Sequence, residues 1–309
     1  MVLGSRRPTA TPSRPDRGHI DTVNAELSRC AAVFPPIPQV LAKIERELSN
    51  EWMNVSRLSN LIRTDPALVG AVLKLSNSPF WRGSRQITEV EEAFQRIGKD
   101  NLRSVATLLA LQQGNLPSKG LMGASRNSFW RHSLLVAAGS VQIARAATTD
   151  HEVLEQVWTA GLMHDLGALL APLMYPDEWS GVPRRIAQAK ERGQTVSLVG
   201  VFQECIGVSH ARLGGAFAEQ VWNMHKTISV LAGFWPDPAA MDPPLLAWAV
   251  NRADAAAQAM GICWQPESTR ATTLEPLPSE LGAGAASDPG FCRSCLERHL
   301  AVVDALLSD

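Results

Sequence analysis

Val157-Trp-Thr-Ala-Gly-Leu-Met-His-Asp-Leu-Gly167 runs apolar at helical spacing and then sets an imidazole and a carboxylate side by side, His164 and Asp165, ahead of a glycine. Among Leu162, Met163, Leu166 and Leu169 these two polar groups are costly to desolvate unless each finds a hydrogen-bond partner or a metal ion. The apolar run continues to Met174 and is long enough to suggest a membrane span. His164, Asp165 and Pro172 interrupt it, however, and no aromatic or basic flanks frame it, so it reads as a buried helix.

Two further segments place polar groups in the same way. His132 lies in Ser128-Phe-Trp-Arg-His-Ser-Leu-Leu-Val-Ala-Ala138, where Phe129, Leu135 and Val136 share its side at three-and-four spacing, which turns it inward. Asp254 follows Val250 by four residues and precedes Ala257 by three, on the apolar stripe of Leu245-Leu-Ala-Trp-Ala-Val-Asn-Arg-Ala-Asp-Ala-Ala-Ala257. Three helices therefore offer two His and two Asp toward one interior, a reasonable ligand set for a single divalent ion such as Mn, Fe, Zn or Mg. The same residues could instead satisfy one another as hydrogen-bonded core groups. His210, at the start of a later helix after Ser209, is either a further contact to this set or a capping or core histidine.

Apolar residues recur at helical spacing along the chain, without sustained alternation of β-branched residues, so the expected class is all-α. Pro35-Pro-Ile-Pro38 precedes a helix over about 39–48, and a second covers about 55–63. Asp65-Pro66 caps and opens a third, which Asn77-Ser-Pro79 ends. Thr88 with Glu91, and Thr149 with Glu152, have capping-box spacing, and Asp100 can cap a helix over about 101–113. The later helices span about 194–221, broken at Gly207, and the Asp254 helix stops at Gly261; one last amphipathic helix is expected over about 291–307. These signals divide the chain into a basic tail (1–25), an N-terminal helical subdomain (26–113), a linker (114–127), a helical subdomain carrying the polar set (128–262), a loop rich in Pro, Ser, Gly and Ala (263–290) and a C-terminal helix (291–309).

The bulk numbers fit a globular protein: 309 residues with 45% hydrophobic and 19% charged suffice for a substantial core. A formal net charge of −1 leaves no electrostatic footprint for DNA or an anionic membrane, and the short helix pairs between Val55 and Gln113 gather no basic recognition helix. Five scattered cysteines without a secretory signal predict reduced thiols and a cytoplasmic protein. Cys292-Arg-Ser-Cys295 with His299 is a partial zinc pattern lacking a fourth ligand. Trp81 and Trp179 fall in expected loops, where they would line a ligand or partner surface.

With these segments in place the chain resembles the HDOD family, whose name marks an output domain related to the HD superfamily of metal-dependent phosphohydrolases. The resemblance covers about Phe34 to Gly261. It rests on Phe34-Pro-Pro-Ile-Pro-Gln-Val, Asp65-Pro-Ala-Leu-Val-Gly-Ala-Val-Leu-Lys-Leu-Ser-Asn-Ser-Pro-Phe80 and Glu91-Glu-Ala-Phe-Gln-Arg-Ile-Gly98. In the second half it rests on Trp130-Arg-His-Ser-Leu, Gly161-Leu-Met-His-Asp-Leu-Gly167, and Gly207-Val-Ser-His-Ala-Arg-Leu-Gly214 with Trp222. It implies a multi-helix HD-like domain with a smaller N-terminal subdomain, and it implies that the metal ligands of catalytic relatives correspond to His132, His164, Asp165 and Asp254.

The departures matter for function. Gly167-Ala168 stands where catalytic members commonly show Gly-Lys, which removes a cation for phosphate; Gly233-Phe-Trp-Pro236 stands where relatives place an adjacent His pair, which removes ligands for a second metal. The Gly-Tyr-Pro signature of cyclic di-GMP phosphodiesterases is absent, and the only tyrosine, Tyr175, lies elsewhere. The resemblance thus implies a regulatory protein that binds a signalling partner or a nucleotide messenger, in a groove between the two helical subdomains. The alternative is a mononuclear metal-dependent nucleotide phosphohydrolase.

Overall fold

The computed structural model describes residues 52–77, 85–98, 121–220, 226–234, 245–266 and 288–307, with isolated positions 43, 44, 46, 47, 50, 81, 102, 236 and 269. Among them there are helices and no strands. The expected helix over 101–113 apart from residue 102, its Asp100 cap, the basic tail, Trp222, the first half of the linker and most of the 263–290 loop lie outside the described residues.

Two short helices, α1 (Val55–Arg63) and α2 (Pro66–Ser76), open the described chain, followed by a helical stretch at 90–98. Asn54 caps α1 by accepting from the Arg57 amide, and Asp65 Oδ1 accepts from the Leu68 amide at the start of α2, as Asp-Pro predicts. Asn77 then does more than end α2. Its side chain donates to the Leu73 and Ile87 carbonyls and accepts from the Ile87 amide (2.7 Å), tying the incoming strand of chain to the helix end. Glu91, expected to close a capping box with Thr88, accepts instead from Ser56 Oγ on α1.

The second half is built on α3 (Arg126–Ala144), α4 (His151–Met163) and α5 (Leu166–Met174), followed by α6 (Pro176–Trp179), α7 (Gly181–Glu191), α8 (Leu198–Ile206) and α9 (His210–Gln220). Then come α10 (Lys226–Phe234), α11 (Leu245–Ala259), α12 (Pro289–Glu297) and α13 (Leu300–Leu307). Asp150, not Thr149, caps α4, because its side chain reaches the Glu152 and Val153 amides. Gly207 ends α8 at φ 87, a left-handed conformation that favours glycine. The single C-terminal helix expected over 291–307 is two helices, broken by a turn at Arg298 and His299.

The stretch from 157 to 174 is not one helix either. It breaks at the His164-Asp165 doublet, and its two halves meet at 46°. Asp165 leaves the helical region (φ −103, ψ 3), which frees its side chain to turn inward. A glycine on each side makes the bend packable. A Cβ at Gly161 would lie 2.8 Å from Ala137 Cα of α3, and one at Gly167 would lie 1.9 Å from the His210 carbonyl oxygen of α9. Gly214 on α9 has the reciprocal constraint, with its Cβ position 2.9 Å from the Gly167 amide nitrogen. The doublet is therefore wedged between two helices at backbone contact distance.

Around this bend α3 packs along α4 and α11, α5 crosses α9, and α12 and α13 cover α3. Trp81 and Trp179 are buried, not exposed: Trp81 meets Trp158 edge to face at 6.3 Å, and Trp179 meets Phe202 at 5.8 Å. Large aromatic area at these positions stabilises the core and does not form an open surface. Among the described residues no single helix is long and apolar enough to cross a membrane.

Candidate metal centre

His132 projects from the middle of α3, His164 and Asp165 from the α4–α5 break, and Asp254 from the middle of α11. All four are buried. His132 Nε2 stands 3.3 Å from His164 Nε2, 3.4 Å from Asp165 Oδ2 and 3.1 Å from Asp254 Oδ1; His164 Nε2 stands 3.2 Å from Asp165 Oδ2 and 3.8 Å from Asp254 Oδ1. Four side chains from three separate points of the sequence thus aim one atom each into a common space.

The far side of each imidazole fixes which atom is offered. His132 Nδ1 is 2.9 Å from the Ile262 carbonyl and His164 Nδ1 is 2.7 Å from the Gly161 carbonyl. A carbonyl oxygen only accepts, so both Nδ1 atoms carry hydrogen and both Nε2 atoms present lone pairs to the centre when the rings are neutral. That is the tautomer a metal-binding histidine needs, with a backbone acceptor orienting the ring from behind. Asp254 is oriented likewise: Gln258, one helical turn on, donates to its Oδ2 at 2.7 Å. Its buried Oδ1 accepts no hydrogen bond despite lying near both imidazoles.

The centre demands positive charge. Two carboxylates and two facing lone pairs repel one another in a dry interior unless protons or a cation intervene. Burial opposes charge on either ring, but the carboxylates outweigh it: contact with Asp165 and Asp254 raises His132 to about 9, and the Asp165 charge leads in raising His164 to about 10. Reciprocally, burial works to raise the Asp165 and Asp254 carboxyls, and the neighbouring imidazoles overcome it and hold both below the usual range.

A divalent ion fits the same demand. Ligand atoms about 2.0–2.2 Å from a common centre lie about 2.8–3.1 Å apart when adjacent in an octahedron and about 3.3–3.6 Å apart in a tetrahedron. Most of the measured separations fall in those windows. His132, His164 and Asp165 bring their ligand atoms within 4.8 Å of one another, so these three could hold a metal, with the orphaned Asp254 Oδ1 beside them.

His210 does not join as an equal partner. Its Nε2 meets Asp165 Oδ1, the oxygen turned away from the other two imidazoles, at 3.1 Å. Trp264 is the residue that sequence reading missed: its indole Nε1 donates to Asp165 Oδ2 at 2.6 Å. It falls at the start of a stretch that composition marks as surface loop, and only the size of its side chain hinted at burial. Gln258 was accessible from its spacing four residues after Asp254. The Gly161 and Ile262 carbonyls carry no side-chain signal at all.

Three comparisons with known proteins bear on this arrangement. The family model described as HDOD domain matches residues 34–235. Among solved structures, a Shewanella amazonensis SB2B protein proposed to be a phosphohydrolase superposes with a TM-score of 0.63 at 22% identity, covering 92% of this chain and 98% of that one. An HDOD domain protein of unknown function from Geobacter sulfurreducens gives 0.61 at 20% identity, covering 93% and 99%. A Marinobacter aquaeolei VT8 protein proposed to act in signal transduction gives 0.60 at 16% identity, covering 94% of this chain and 65% of that one. These likenesses show a shared fold. An uncharacterized protein of Treponema pallidum (strain Nichols) is 25% identical over 195 residues, 63% of this chain, which spans 36% of that protein's length. Asp254, Gln258, Ile262 and Trp264 all lie beyond the matched family segment.

Proposed function

The chain belongs to the HDOD family, and from that premise we propose that it is a signal-transduction or regulatory protein whose HD-type centre holds a single divalent metal without turning over a substrate. The observation that carries this reading is closure of the centre. His132, His164 and Asp165 have no solvent exposure and Asp254 has 3%, while both oxygens of Asp165 are engaged, by His210 and Trp264. Catalytic metals keep an open position for water and substrate, whereas structural ones are closed. Ala168, where a lysine would clamp phosphate, supports the same conclusion, because a phosphoryl transition state needs cations at its oxygens. The output is then binding, of a signalling protein or a nucleotide messenger, and the compartment is the cytoplasm.

The second reading, a mononuclear phosphohydrolase, is favoured by the four converging groups themselves. A metal bound there would supply Lewis acidity and an activated water. His132, His164, Asp165 and Asp254 would hold the ion, and His210 would orient Asp165 from behind. The deciding experiment is metal analysis of the purified chain together with a panel of nucleotides and cyclic dinucleotides supplied with Mn²⁺ or Mg²⁺. Stoichiometric metal without phosphate release above buffer is expected. Release that disappears in Asp165→Ala while the helical fold persists would replace the regulator with the enzyme.

A further inference from the structure

The five residues around the centre that carry imidazole or carboxylate groups, His132, His164, Asp165, His210 and Asp254, all sit on helices or at a helix break, and the helices cross at close range. The segment 262–266 is the exception among the described residues. It has no regular helix, yet it contributes twice to the centre, through the Ile262 carbonyl behind His132 and the Trp264 indole on Asp165. Trp264 is 3% exposed and packs on Phe129 of α3 with ring centroids 5.4 Å apart, one residue turn from His132.

The Asp165 oxygen that Trp264 contacts is Oδ2, the same atom that faces both imidazoles. An N–H on that oxygen fixes the carboxylate rotamer. It also places an aromatic ring beside the centre, against Phe129 of α3. Opening the centre by moving α3, α4, α5 or α11 would separate helices packed at backbone distance, as at Gly161 and Gly167, and would cost much of the core. Swinging out the Trp264 side chain alone breaks its bond to Asp165 and its ring contact with Phe129 and exposes the indole, while the helices stay in place. Irregular segments open locally far more readily than packed helices do.

We infer that Trp264 is the closing residue of the metal centre: it positions Asp165 through its indole N–H and, by swinging away, lets a divalent ion in and out. This rests on the metal-holding reading above and adds to it the means by which the metal content of the centre is controlled. The two roles separate on substitution. Trp264→Phe keeps a ring against the centre and loses the N–H; Trp264→Ala loses both.

The test uses the full chain, stripped by chelator and reloaded with Zn²⁺ alone, with uptake and release followed by stopped flow against a chromogenic chelator. Trp81→Ala serves as the control for general loosening, since Trp81 is equally buried but meets Trp158 and not the centre. Trp264→Phe is expected to leave uptake at the wild-type rate and to speed release about tenfold, the scale for losing a partner that orients a metal ligand. Trp264→Ala is expected to speed both uptake and release at least about tenfold, which a gate requires and mere destabilisation does not give. Uptake in Trp264→Ala no faster than in Trp81→Ala would overturn the inference. Failure of the wild-type chain to take up Zn²⁺ at all would remove the metal reading first, and this inference with it.

Discussion

His132 and His164 at the meeting of α3, α4 and α11, and His299 in the turn between α12 and α13, are all buried, yet their surroundings drive them in opposite directions. Two carboxylates face the first pair and raise them to about 9 and about 10. At His299 burial first, then the Arg298 and Arg145 cations, push it down to about 4. Its companions in the partial zinc pattern behave alike, with burial pushing the Cys292 thiol up to about 11 and raising Cys295 as well. Among the described residues, Cys292, Cys295 and His299 do not bring three ligand atoms within the 4.8 Å that His132, His164 and Asp165 achieve. Burial and a ligand-like spacing are thus shared by both clusters. What separates them is the pair of buried carboxylates at the first cluster, which raises its imidazoles, whereas burial and neighbouring arginines lower His299.

The comparison breaks most visibly at Asp165. Asp165→Ala strands two imidazoles that share this carboxylate and should lower unfolding free energy in urea by about 3–5 kcal/mol, the scale for removing one partner of a buried ion pair. Cys295→Ala removes one buried heavy atom and should cost about 1 kcal/mol, with metal content unchanged. Equal losses at the two sites would mean that the clusters are energetically alike.

A smaller effect is expected at Gly167. Gly167→Ala forces a Cβ into the His210 carbonyl and the Gly214 amide, so α5 and α9 must part. The cost of such overpacking is about 1–3 kcal/mol. Because the displaced element carries His210, metal affinity should fall as well, which calorimetric titration would register.

The pH dependence of the metal-free chain sharpens the contrast further. His132 and His164 are raised above their ordinary value of 6.5, so their stabilising contribution is complete below about 6.5 and is lost as pH climbs through about 9 to 10. Asp165 and Asp254 are lowered, so their contribution is present above 3.8 and is lost on further acidification. His299 runs the other way from the two raised histidines: it is depressed, so its contribution is present above 6.5 and declines as pH falls toward about 4. Thermal melts across this range should show an alkaline decline that shrinks in Asp165→Ala, where Asp254 alone still faces the imidazoles, and an acid decline that softens in His299→Gln.

Much of this was legible in the chain. Apolar spacing identified the helices, Asp65-Pro66 and Gly207 marked helix ends that the structure keeps, and inward placement of His132 and Asp254 followed from three-and-four spacing on single helices. The helix opened at Thr149 and Glu152 is expected to end at the His-Asp doublet and Gly167, and α4 does end at Met163; the 46° turn into α5 was not legible, because Leu162, Met163, Leu166 and Leu169 sustain the helical period straight through it. Only packing between Gly161 and α3 and between Gly167 and α9 requires the chain to turn there. Trp264 escaped for a related reason: composition assigns a Pro- and Ser-rich stretch to the surface, whereas one long side chain at its start reaches back into the core. Trp81 and Trp179 misled in the same way, since irregular backbone on the outside does not keep an indole out of the interior.

On the metal-holding reading proposed above, the four-residue centre exchanges protons for a divalent ion. With His132 at about 9 and His164 at about 10, both imidazoles are protonated at pH 7 in the metal-free chain, and both must lose that proton to bind metal. Calorimetric titration of the stripped chain with Zn²⁺ at pH 7, in two buffers of different protonation enthalpy, counts those protons directly. One ion bound per chain with about two protons released is the predicted result; binding without proton release, or no binding by a chain whose helical fold is intact, would contradict it.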